Sequence, residues 1–369
     1  MREIISVLVH TKSYIENMEA IQYFCNATKI DSIEIYFMPP LEEKGNVPVK
    51  AGKYTQYSKE NRKINGRIKA ELFDYIVCEE QKKKKDSCLT PVISYAECKE
   101  ILRLFLVERK EFLVTEELRI DETFYYTYRH KYLFHELQNF WTKVCESGVI
   151  DDWSDALDNR LELMSICLDK CKIEALKPQN NCTVMHLKYH ISYLLLLITG
   201  TFDNLAWLIN NLYSLGLEEK NRQKIDLLKG TFKNYVKTKS LELYKIMSED
   251  GFDHKIKAIR ELRDRIVHRD FLQAVRGGNH KSEYDTSYLY LDLSAYQLLR
   301  QAGFESTAVS IKIGDNVCVD MMSFVNFAEQ LVVHIVNSML KVIAKEIYDS
   351  EENIVLWKMF DFPEKPYVL

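Results

Sequence analysis

Hydrophobic and polar positions change their period along this chain, and each change marks an element. "EIISVLV" (3–9) is a short apolar run of strand composition, and "SIEIYFM" (32–38) alternates until Pro39 and Pro40 stop it. Between them, "YIENMEAIQYFCNAT" (14–28) spaces its apolar residues as a helix does. Strand, helix and strand predict a small α/β region at the start of the chain. Residues 39–90 carry Pro39, Pro40, Gly45, Pro48, Gly52 and Gly66 and read as a loop-rich insertion. From about residue 121 the helical period takes over. "FYYTYRHKYLFHELQNFWTKVCES" (124–147) and "SDALDNRLELMSICLDKC" (154–171) are amphipathic, the second with Ser154 and Asp155 where an N-cap belongs. The stretch from Cys182 to Gly216 predicts a long apolar helix, broken near Gly200 and capped by Gly216. Residues 218–250 predict a basic helix interrupted at Gly230, and "HKIKAIRELRDRIVHRD" (254–270) a further helix. After the irregular "RGGNHKSEYDTS" (276–287), "AVSIKIGDNVCVDMM" (308–322) reads as a β-hairpin turning at "GDN". "SFVNFAEQLVVHIVNSMLKVIAKEIYD" (323–349) is a closing helix with His334 expected in its core face. The change of period divides the chain into a region 1–120 and a helical region 121–369.

Composition narrows the class. The chain has 369 residues, 47% hydrophobic and 28% charged, which suits a globular protein with room for two domains. Twelve glycines and seven prolines are few, and favour long helices over a many-turned β architecture. The longest apolar run, "ISYLLLLI" (191–198), is far short of the roughly 20 residues that span a bilayer, so it is expected inside a bundle. "MREIISVLVHT" lacks the features of a secretory signal, and nine cysteines are an odd count. Reduced thiols and a cytoplasmic location are therefore expected, with no membrane partner. Net charge is −4, which argues against a wholly basic nucleic-acid binder. Its distribution alters that picture. Residues 86–174 hold 11 basic against 18 acidic side chains, whereas 220–280 hold 15 against 8. An acidic chain thus presents one basic segment. A second basic run, Lys50 to Lys69, has seven basic residues interleaved with Tyr54 and Tyr57. It reads either as a phosphodiester grip or as a solvated loop.

The basic segment contains "RELRDRIVHRD" (260–270). Arg263 and His268 are five steps apart, roughly 140° around a helix, so one straight helix does not aim both at a single small target. Asp264 and His268 share a face, and a carboxylate beside imidazole orients the ring and favours its protonated form. Arg263 is a permanent cation with a fork suited to phosphate. Convergence requires the helix to end near His268, or a twofold axis to pair two copies.

This pattern resembles the HEPN superfamily (higher eukaryotes and prokaryotes nucleotide-binding): helical bundles with an arginine, commonly a polar residue next to it, and a histidine four to six residues on. Arg263, Asp264 and His268 in "LRDRIVH", with the apolar pair Ile266–Val267 before the histidine, match it, and long helices flank the motif over about residues 183–348. Active members frequently carry asparagine after the arginine, where Asp264 stands. The fold class so expected is mainly α: a C-terminal HEPN-like helical bundle with a small β-hairpin insertion, preceded by a small N-terminal α/β region. The resemblance implies a homodimeric, metal-independent endoribonuclease without cofactor, of the kind recurring among toxins and antiviral defence effectors. His268 would act as acid or base at a ribose 2′-hydroxyl, Arg263 would stabilise the phosphate in flight, and Asp264 would orient His268. Arg260, Arg265 and Arg269 would hold backbone phosphates of single-stranded RNA, and a protein antitoxin or regulator would be a further partner. The alternative is a non-catalytic HEPN-like module that binds RNA or protein.

Other constellations carry less. Cys182, His186 and His190 recur every four residues, with Cys167 and Cys171 on the preceding helix, which could begin a zinc site. Ordinary helix packing with partly buried His and Cys is the favoured reading, and no metal is expected. No GxGxxG, GxxxxGK[ST] or GxSxG sequence occurs.

Overall fold

A computed structural model describes residues 4–10, 32–38, 49–50, 73–78, 91–109, 128–147, 152–177, 180–268, 273–277, 286–305, 311–313 and 316–348, with isolated positions between 20 and 30. The chain is mainly helical and forms two compact units, 1–113 and 114–278 with 284–366.

In the first unit, β1 (Ile5–His10), β2 (Ile33–Met38), β3 (Val49–Lys50), β4 (Tyr75–Val77) and β5 (Val92–Ile93) form one sheet in the order β3-β2-β1-β4-β5. All neighbours are parallel except β3, which runs antiparallel to β2. Val7, Val9, Ile33 and Ile35 face the buried helical residues Ala20, Phe24 and Ala27 and the helix α1 (Tyr95–Arg109), which contributes Cys98, Leu102 and Leu106. Ser94 and Glu97 start α1 as a reciprocal capping box. The stretch expected as a loop-rich insertion therefore supplies β3 and β4. Most of it, including the Lys50–Lys69 run beyond Lys50, lies outside the described residues.

The second unit begins with a π-helical turn (Tyr128–Leu133) and α2 (His135–Ser147) where a single helix was expected. Next come α3 (Asp152–Leu176) and α4 (Asn181–Leu212), packed together along their lengths. α3 starts two residues earlier than expected, so Ser154 is buried inside it. Asn180 caps α4, its Oδ1 accepting from the amides of Cys182 and Thr183. Thr183 Oγ1 accepts in return from the Asn180 amide. α4 runs through Gly200 without the expected break. It ends at Leu212, ahead of Gly216, and Ser214 and Gly216 take positive φ in the turn that follows. The expected 218–250 helix is three pieces: a 3₁₀ turn (Glu219–Lys224), α5 (Gly230–Lys239) and α6 (Leu241–Met247), the last capped by Ser240.

The motif helix is α7 (Phe252–His268), and it packs against α4 and α8 (Leu293–Gln301). The hairpin exists as β8 (Ile311–Ile313) and β9 (Asn316–Asp320). It belongs to a larger antiparallel sheet of order β6-β7-β9-β8, with β6 (Gln273–Gly277) and β7 (Thr286–Asp292) on either side of a stretch read as irregular. α9 (Met321–Tyr348) closes the unit. His334 is exposed on α9, contrary to its expected place in the core, because the buried face runs through Leu331, Val332, Ile335 and Val336. α4 and α9 are each long and apolar enough to cross a bilayer, and each buries most of its apolar length within the bundle.

Asn337 on α9 joins this core to the start of α2. Its Oδ1 accepts from the Glu136 amide (3.2 Å) and its Nδ2 donates to the Leu133 carbonyl (3.1 Å). Asn337→Ala strands a donor and an acceptor in a dry site. It should lower unfolding free energy in urea by about 1–3 kcal/mol. A midpoint equal to the parent's would show that these groups find other partners.

Candidate active site

α7 buries Phe252, Ile256, Ile259 and Leu262, a stripe at helical spacing that turns Arg260 and Arg263 to one flank and Arg265 to the other. The two flanks do different work.

Arg260 is fully engaged. Its Nη1 donates to both carboxylate oxygens of Asp226 (2.8 and 2.9 Å), and its Nη2 to Asp203 on α4 (3.0 Å). Asp226 also accepts from the Leu228 amide, which fixes the turn ahead of α5. Arg265 binds Glu261 one turn back, Asp292 at the start of α8, and the Ser294 hydroxyl. Asp292 caps α8 by accepting from the Ala295 amide (2.8 Å). Burial works against the Asp292 carboxylate, but Arg265, the Ala295 amide and Ser294 outweigh it and hold the carboxyl far below its ordinary range. Two of the three arginines expected to grip RNA phosphates are thus tied into the bundle, and Arg269 lies outside the described residues.

Arg263 is different. Its guanidinium meets the carboxylate of its neighbour Asp264, which is half exposed and lies 2.9 Å from Nη1. Its Nε is buried and has no hydrogen-bond partner among the described residues, while 28% of its side chain remains accessible. α7 carries Arg263, Asp264 and His268 within its described length. The His268 side chain lies outside the described residues, so Asp264 is placed on Arg263 and its expected contact with His268 is not described.

Sequence reasoning missed the residues behind Arg263. Arg160 on α3 lies directly over Gly200: a Cβ there would come within 1.9 Å of its Nη1 and 2.6 Å of its Cζ. The glycine is present for this close approach, not for a break. One turn on, Asn204 is only 7% exposed and its Nδ2 has no partner among the described residues, as is also true of Arg160 Nε. Asp203 sits within the field of Arg260, Arg263 and Arg160. Burial and Asp226 nevertheless raise its carboxyl above the ordinary value. Arg160, Gly200, Asp203, Asn204 and Arg263 therefore form a polar seam across α3, α4 and α7 that holds unpartnered donors. The available signal was a glycine and an Asp-Asn pair inside an otherwise apolar helix.

Some of the possible zinc residues have other contacts. His186 faces Glu174 (3.7 Å), Cys167 donates to the His190 carbonyl (3.3 Å), and burial lowers the His190 pKa. Among the described residues no three His, Cys, Asp or Glu side chains gather as a metal site. No family model, curated protein or solved structure matches the chain.

The ion pairs give a pH-dependent stability. The Asp292 carboxyl has a lower pKa folded than unfolded. Its contribution is therefore complete above about pH 4 and is lost as pH falls toward the depressed folded value. Urea midpoints should fall from about pH 5 to about pH 2.5, and Asp292→Asn should flatten that fall. Arg260→Ala should cost about 2 kcal/mol at neutral pH. That lies between the values for exposed and fully buried pairs, because it leaves two carboxylates partly buried without their cation. An Arg260→Ala protein as stable as the parent would remove Arg260 as the tie between α7 and α4.

Proposed function

We propose that this protein is a HEPN-like, metal-independent endoribonuclease that acts as a homodimer on single-stranded RNA. The observation that carries the reading is the state of Arg263. It is the arginine of the motif, one of its donors is buried without a partner among the described residues, and it shares α7 with His268. A cation for the pentacovalent phosphate and a base for the 2′-hydroxyl suffice to form a 2′,3′-cyclic phosphate without metal. In this reading His268 takes the proton of the 2′-hydroxyl as that oxygen attacks phosphorus, the imidazolium returns a proton to the departing 5′-oxygen as the P–O5′ bond breaks, and Arg263 neutralises the phosphoryl charge. Asp264 then exchanges between Arg263 and the imidazole.

Dimerisation has its own support. Met185, Tyr189, Tyr193 and Leu196 on α4, with Leu163 on α3, form a stripe of large apolar side chains between 39% and 67% exposed. α3 and α4 are antiparallel, as the stacked Trp153–Trp207 pair (4.8 Å) and the Arg160–Gly200 contact show.

The Arg263–Asp264 pair favours a second reading, a non-catalytic RNA-binding module, because the arginine head is occupied at rest.

Purified protein should cleave single-stranded RNA in EDTA. His268→Ala should lose about 10²–10⁴-fold in rate, and Arg263→Ala about 10²–10³-fold. Asp264→Asn should retain activity or gain it, since asparagine orients the ring without pinning it as imidazolium. Tyr193→Glu with Leu196→Glu should give a monomer in sedimentation and remove cleavage. Unchanged cleavage in His268→Ala, or cleavage that requires added divalent metal, would assign the activity elsewhere and leave the binding module standing.

A further inference from the structure

We infer that the RNA backbone is held by the face formed from the 3₁₀ turn (Glu219–Lys224) and α5, not by the arginines of α7. That the polyanion is RNA rests on the proposed ribonuclease reading, whereas the free charge of the face does not.

The α7 arginines expected to hold phosphates have little free charge to offer, since Arg260 and Arg265 are consumed by Asp203, Asp226, Glu261 and Asp292. The segment before it has the opposite balance. From Lys220 to Lys239 there are seven basic side chains and one acidic residue, Asp226, which Arg260 neutralises. Lys220 pairs with Glu218, and Lys233 is drawn inward by Asp253 and the Met247 carbonyl. Arg222, Lys224, Lys229 and Lys239 are exposed and make no ion pair with another described residue.

An exposed aromatic lies on α5 as well. Phe232 and Val236 bury the inner stripe of α5, which leaves Tyr235 on the outer side, 45% exposed and one turn before Lys239. Uncompensated cations beside an accessible ring suit a single-stranded polynucleotide: the charges track phosphates and the ring stacks on a base of any identity. The face also connects to the candidate site. Asp226, in the turn between the 3₁₀ helix and α5, is tied by Arg260 to α7 one turn before Arg263. A strand lying along Arg222, Lys224 and Lys229 is thereby directed toward Arg263.

The test is fluorescence anisotropy with a labelled single-stranded RNA oligonucleotide, made in His268→Ala protein so that the probe survives. Substituting Arg222, Lys224, Lys229 and Lys239 together by serine should weaken binding about tenfold or more near 0.1 M salt. It should also reduce the slope of log affinity against log salt by about 0.7 for each phosphate no longer neutralised. All four side chains are exposed, so thermal unfolding should be unchanged. Tyr235→Ala should weaken binding about tenfold, and Tyr235→Phe should bind as the parent does, because the ring rather than the hydroxyl is used. The inference is overturned if the four-site variant keeps parental affinity and slope. It is equally overturned if the four cations mediate capture by phosphatidylserine vesicles while RNA is not bound. Its failure is separable from that of the ribonuclease reading. RNA held by this face in a protein that never cleaves defeats only the enzyme, whereas cleavage with unaltered binding in the four-site variant defeats only the face.

Discussion

The position of α7 depends on one guanidinium. Arg260 reaches Asp203 on α4 and Asp226 in the turn before α5, and so joins three segments distant in sequence. The pairs are only partly buried, which matters for their balance. Full burial would set a desolvation cost against the Coulombic gain, whereas these charges keep some water and geometry decides the outcome. The result is directional. Apolar packing of Ile256, Ile259 and Leu262 holds α7 against the bundle without strongly fixing its rotation. Arg260 on one flank and Arg265 on the other pin that rotation, and with it the orientation of Arg263.

The same pinning governs where charge is free. Each arginine that locks α7 is removed from the pool available to a ligand, and each carboxylate it binds is removed from the pool that would repel one. Asp226 illustrates this: standing among lysines it would cancel part of a basic face, but bound to Arg260 it cancels nothing beyond its partner. Structural ion pairs on α7 thus sharpen the basic character of the 3₁₀ turn and α5. Charge counted along the sequence cannot separate these two populations, because partner choice is a tertiary property. That is why residues 220–280 read as one basic surface in the sequence, whereas in the structure Arg260 and Arg265 are engaged in ion pairs.

Legibility elsewhere followed the strength of the local signal. The first two strands, α3, α4, α9 and the β8–β9 hairpin were readable because their apolar period extends over whole elements. Gly200 misled because glycine lowers helix propensity by only about 1 kcal/mol relative to alanine, less than the packing of a 32-residue helix supplies. Its side-chain vacancy serves Arg160 on another helix, a contact no local window contains. β7 was missed although "TSYLYLD" alternates, with Ser287, Leu289 and Leu291 inward, because the preceding Gly-Gly directed attention to a loop. Polar residues inside α4 were equally hard to place. Ser192, Thr199 and Thr201 satisfy their hydroxyls on carbonyls four residues back and need no partner outside the helix. Asn204 Nδ2 has no such outlet, which sets it apart from these residues of the same helix.

Asp264 shows how a departure from a motif acquires physical meaning only in place. Read in sequence, it shares a face with His268 and would orient the imidazole. In the structure its carboxylate rests on the Arg263 guanidinium, where a phosphate oxygen of a substrate would have to go. Such a contact blocks the site only if it is strong. The carboxylate is half exposed, and ion pairs in that setting contribute about 0–1 kcal/mol. Under the proposed reading, a phosphodiester brought up by several cations of a neighbouring face would exceed that barrier. The buried, unpartnered Nε of Arg263 adds to the gain once an acceptor comes within reach. A carboxylate next to the arginine therefore holds its head in position at rest; under the proposed reading it would yield to a better anion, so the arginine would be ordered before a substrate arrived and its side-chain entropy need not be lost on binding.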